Sequence, residues 1–129
     1  MFWVVLVVRV LVGLPFFALG LIHFLPVQMP APTDLPERAM TFAGALGASG
    51  YMNVVKALEL VGGALVLSGR LVPLGLVLLG PVVVNISLWD LLLIGKPGPG
   101  VVFVFLCAFL IWAYRSHFAP VFAVKPKIG

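Results

Sequence analysis

Residues 51–94 read YMNVVKALELVGGALVLSGRLVPLGLVLLGPVVVNISLWDLLLI. Two apolar runs, Tyr51 to Ser68 and Leu71 to Ile94, are separated only by Gly69-Arg70. Each run approaches the roughly 20 residues that carry a helix across a hydrocarbon core. Both are apolar on all sides rather than alternating, which excludes the ten-residue pattern of a membrane β-barrel. With only a Gly-Arg turn between them, the two helices are expected to form an antiparallel hairpin.

Working outward, Trp3 to Leu25 and Val101 to Phe118 supply two more apolar runs, the first interrupted only by Arg9 and His23. The expected fold is all-α: an antiparallel bundle of four transmembrane helices, about 3–25, 51–68, 71–94 and 101–118, in a single domain 1–129. The stretch 95–100, GKPGPG, cannot continue a helix and joins the last two. The one long connection, Pro26 to about Gly50, has Pro26, Pro30, Pro32 and Pro36 holding its first half extended. Asp34-Leu35-Pro36-Glu37 then reads as a helix start, with an acidic N-cap and a second acid three residues on. A short interfacial helix from Ala39 to Leu46 is expected, with Met40, Ala43 and Leu46 or Gly47 on one face.

Composition carries the same message. Of 129 residues, 63% are hydrophobic and 9% charged, with mean hydropathy +1.24. Soluble domains carry about 25% charged residues, so a soluble enzyme, a soluble nucleic-acid binder and a disordered chain are excluded. A single cysteine permits neither an internal disulfide nor a CxxC pair. The side holding both termini and the 69–71 turn carries Arg70, Arg115, Lys125 and Lys127, while the side of the long loop carries Arg38 and Lys96. The excess places both termini in the cytoplasm of a bacterial-type cytoplasmic membrane. The first span lacks a basic n-region and reads as a retained helix rather than a cleaved signal.

Charges inside spans cost on the order of 2.5–3.5 kcal/mol each at mid-helix, so they mark packing or function. Arg9, Lys56, Glu59 and Asp90 are the four here. At 1.5 Å per residue Arg9 lies about 9 Å and Glu59 about 15 Å above the inner edge, close enough for an arginine to snorkel to the acid. Two readings stand: an Arg9–Glu59 interhelical clasp, or a functional carboxylate, with Lys56 three residues from Glu59 partly neutralising it. Lys56 and Asn85 fall at about 20 Å, Asp90 and His23 at about 28–30 Å. Polar groups therefore gather in the outer half. Gly13 and Gly20, on the face of Arg9, Phe16 and His23, permit close backbone approach. His23 reads either as an interfacial anchor or as a ligand contact, and Cys107 as a small buried apolar residue. No metal or haem ligand set, nucleophile–base pair or dinucleotide motif is visible, and with them no self-sufficient catalytic centre.

The pattern Tyr51-x4-Lys56-x2-Glu59-x2-Gly62-Gly63-x-Leu65-x-Leu67-x2-Arg70-x2-Pro73-Leu74, then Pro81-x3-Asn85-Ile86, resembles the DoxX family of small four-helix membrane proteins. Arg9-x-Leu11-x-Gly13-Leu14, Gly20-Leu21-x-His23-Phe24 and Tyr114-Arg115-x2-Phe118 extend the resemblance over nearly the whole chain. It departs at Asp90, where relatives of this subtype often have histidine. The family name comes from a subunit associated with thiosulfate:quinone oxidoreduction, and other members are implicated in assemblies handling thiol or oxidative stress. The resemblance thus implies a membrane component of a redox-linked assembly. An outer-half pocket lined by Lys56, Glu59, Asn85, Trp89 and His23 would admit a quinone, with Glu59 relaying protons. Arg9, Glu59, Lys56 and Asp90 are the expected ion-pairing residues. Besides the lipid bilayer, a membrane or peripheral protein or a second copy of the chain is the expected partner. The alternatives are an accessory or assembly subunit of a larger complex and a small dimeric proton-coupled transporter.

Overall fold

A computed structural model describes residues 1–26 and 34–129. Every regular element among them is helical: α1 Phe2–Phe24, α2 Glu37–Ala48, α3 Tyr51–Ser68, α4 Val72–Leu88 continued by a π-helical turn Trp89–Ile94, α5 Pro99–Ala113, α6 Arg115–Phe118 and a 3-10 turn Ala119–Phe122. Three helices are long and apolar enough to cross a membrane: Phe2–Phe24, Tyr51–Ser68 and Val72–Ile94.

The fourth run differs from its expectation. Helix α5 ends at Ala113, and the segment Arg115–Phe122 turns away from it by 85°. The cause is local. The Arg115 guanidinium donates to the Trp112 carbonyl (2.9 Å), the acceptor that the Ser116 N–H would need to carry the helix onward. Pro120 then brings no N–H of its own. The Arg115 guanidinium also stacks 4.7 Å over the Trp112 ring, which holds the bend.

Helix α1 packs chiefly on α3, α3 on α4, and α4 on α5, with a lighter contact from α5 to α1. Glycines make these approaches possible. A Cβ on Gly63 would lie 2.5 Å from the Phe17 nitrogen and 2.9 Å from the Gly13 carbonyl oxygen, so α1 and α3 touch backbone to backbone. Gly13 faces Leu67 and Gly20 faces Leu60, while Gly62 faces Leu79 and Gly75 faces Val66. In each pair the facing numbers fall as the others rise. The core between these helices is Val12, Phe16, Val66, Val72, Leu76, Leu79, Val82, Val83, Cys107 and Leu110. Close van der Waals packing of this kind is what holds apolar helices together where lipid removes the hydrophobic drive.

Two expectations about the long connection change. Helix α2 starts at Glu37 with Pro36 at its N-cap and no side-chain cap, so Asp34 does not cap it. Its buried residue is Ala39, with Ala43 and Leu46 half-buried, whereas Met40 and Gly47 are exposed. Ala43 and Leu46 of the expected face thus turn inward and Ala39 takes the place of Met40, while Arg38 Nε donates to the Leu92 carbonyl of the π turn (3.1 Å). The extended stretch around Pro30 and Pro32 lies outside the described residues.

Candidate functional site

Position 59 falls on the α3 stripe that also buries Gly62, Gly63 and Val66, so its side chain is carried into the packed interior. Glu59 is only 3% exposed. Lys56 Nζ lies 3.0 Å from Glu59 Oε2, from the preceding turn, with the lysine side chain 23% exposed. Oε2 is buried, and the Lys56 ammonium is its one polar neighbour among the described residues. A carboxylate in this state keeps an acceptor lone pair free in a low-dielectric surrounding, a costly arrangement unless another group uses it. Among the described residues this is the one ion pair.

Arg9 is not part of it. Its Nε donates to the Val66 carbonyl (3.0 Å) and its Nη2 to the Leu67 carbonyl (3.3 Å), and the guanidinium lies against Gly69. These carbonyls belong to the last turn of α3, whose own helix supplies them no donor. The expected Arg9–Glu59 clasp is therefore replaced by an arginine cap on a helix C-terminus, where the helix dipole also favours a cation.

Asp90 is likewise a helix-end group rather than a member of an ion pair. It is 8% exposed, and its Oδ2 accepts the Gly100 N–H (2.8 Å) in the first turn of α5. Its backbone carbonyl accepts the Gly95 and Lys96 N–H groups (2.9 and 3.0 Å), closing the π turn. The two ends of the 95–100 connection are thus both fastened to one residue.

The remaining expected pocket residues do not converge on Glu59. His23 Nε2 lies 2.8 Å from Asn53 Oδ1, an exposed pair between α1 and α3. The Trp89 ring packs 6.0 Å from Phe42 of α2. Asn85 is exposed on α4 and forms no hydrogen bond with a described residue. Two surface clefts lie elsewhere, one beside Leu71–Leu74 and Tyr114, the other between Arg38 and Leu93. Sequence reasoning did not single out Asn53, although it stands three residues before Lys56, on the same helical face.

Arg9, Asp90 and the His23–Asn53 pair are committed to structure, which leaves the Lys56–Glu59 pair with spare bonding capacity in the interior and the Asn85 amide unbonded on the exposed face. The Lys56–Glu59 pair can hold a proton, donate from the ammonium and accept at Oε2. Comparison with protein-family models, with curated proteins and with solved structures returns no significant match.

Proposed function

We propose that the chain is an integral membrane protein with four crossings in an antiparallel bundle, a DoxX-like component of a redox-linked membrane assembly. In this reading Lys56 and Glu59 form the polar contact for a quinone-class ligand. The observation that carries it is the Glu59 carboxylate, buried in the helical interior with a single polar neighbour, the partly exposed Lys56 ammonium 3.0 Å from Oε2. Lys56 would donate to a ring carbonyl oxygen, and Glu59 would accept from a ring hydroxyl and take up its proton. The falling registers between α1 and α3 and between α3 and α4 support the antiparallel arrangement. Helix α5 with the bent segment after it supplies the fourth crossing, about 22 Å of straight helix ending in a turn along the surface. The four cations on the side of the termini favour a cytoplasmic location for both.

The test uses the purified full chain in lipid nanodiscs and a short-chain benzoquinone as probe. Thermal unfolding is followed with and without the quinone. Wild-type protein is expected to gain several degrees, while Glu59→Gln and Lys56→Met gain little. Equal gains in wild type and Glu59→Gln, or none in wild type, would overturn the quinone reading.

A further inference from the structure

Asn85 presents an exposed carboxamide within an apolar helix. The span Val72–Ile94 has its middle at Val83, so Asn85 lies two residues, about 3 Å along the axis, from the centre of the crossing. It is exposed there, with its amide unbonded to any described residue. An amide facing hydrocarbon at mid-depth has no water to bond, and the cost of burying it unpaired is several kcal/mol in a fully apolar medium.

The face around it is also exposed. At about 100° per residue, Leu74, Val77, Pro81, Val84, Asn85 and Leu88 fall within an arc of about 100° on α4, and all six are exposed. Leu74, Val77, Pro81, Val84 and Leu88 follow steps of 3, 4, 3 and 4, the spacing of a helix seam that packs against another helix. Pro81 adds a second acceptor to this face, because it lacks the N–H that the Val77 carbonyl would otherwise receive.

We infer that this face of α4 is a homodimer interface, with Asn85 of one copy hydrogen-bonded to Asn85 of a second. The choice of occupant follows from the chemistry. A carboxamide is donor and acceptor at once, so it is complementary to itself, and two chains inserted with the same orientation bring equal depths together about a two-fold axis normal to the membrane. An apolar partner would leave the amide unpaired. The inference rests on the membrane reading above but not on the quinone.

The experiment reconstitutes full-length protein in liposomes and measures dimerisation by energy transfer between two dye-labelled populations, diluted with lipid. Wild type is expected to dimerise and Asn85→Leu to dimerise about 3- to 30-fold more weakly, the range an interhelical amide bond supplies in lipid. In a Cys107→Ser background, Leu88→Cys is expected to cross-link between copies, whereas Val61→Cys, equally exposed on α3, is not. At lipid dilutions where both proteins are monomeric, Asn85→Leu should still unfold cooperatively like wild type, since the residue is exposed and bonds no described residue. Monomeric wild type, unchanged dimerisation of Asn85→Leu, or cross-linking through Val61→Cys instead of Leu88→Cys would overturn the interface. Release of the protein by alkaline carbonate would overturn the membrane reading itself; retention with no dimer would overturn only this inference.

Discussion

Asp90 offers the sharpest test of how the connection between α4 and α5 is held. Its carboxylate accepts the buried Gly100 N–H at 2.8 Å and sits at the positive end of α5. Removing it by Asp90→Ala leaves that N–H without an acceptor, a penalty of about 1–3 kcal/mol. The favourable interaction with the helix N-terminus, about 0.3–1 kcal/mol, is lost with it. The expected sum is about 2–3 kcal/mol. Asp90→Asn keeps a carbonyl oxygen for the bond and loses only the charge, so about 1 kcal/mol is expected. A linked perturbation checks the geometry: a Cβ on Gly98 would lie 2.8 Å from the Asp90 carboxyl carbon. Gly98→Ala should therefore push the carboxylate off Gly100, costing about 1 kcal/mol in the wild-type background and much less beside Asp90→Ala, where nothing remains to displace. The assay is reversible SDS titration in mixed micelles followed by far-UV circular dichroism. An Asp90→Ala protein within about 0.5 kcal/mol of wild type, or an Asn variant less stable than the Ala one, would refute this account.

Two further outcomes follow from the same contacts, read by the same titration. Gly63→Ala meets only backbone atoms of α1 and is expected to cost about 1–3 kcal/mol, whereas Gly80→Ala, with nothing within 4 Å, should gain up to about 1 kcal/mol from helix propensity; equal effects at the two sites would contradict the packing. Arg9→Met should cost about 2 kcal/mol through loss of two carbonyl bonds, and Arg9→Lys about half of that, because one ammonium does not reproduce the guanidinium fork. In the double variant with Glu59→Gln the two effects should add to within about 0.5 kcal/mol, and a larger coupling would restore the clasp between them.

Hydropathy alone located the three long apolar helices, because the cost of exposing twenty apolar residues to water is a local sum that needs no knowledge of neighbours. Gly69-Arg70 and the 95–100 stretch announced the breaks between helices for an equally local reason, the backbone freedom of glycine and the missing donor of proline. Helical periodicity alone is enough to carry Glu59 to the side of α3 that buries Gly63. What local reasoning could not choose was the partner of each charge. Depth along the axis put Arg9 within reach of Glu59, but the acceptors nearest the guanidinium are the Val66 and Leu67 carbonyls, which carry no signature in residue type. The same holds for Asp90, whose partner is a backbone N–H ten residues on, and for the bend after Ala113, where Arg115 takes the Trp112 carbonyl. Heights follow from counting residues; the rotation of one helix against another, which decides what a long side chain finds, exists only once the glycine-paved contacts have formed.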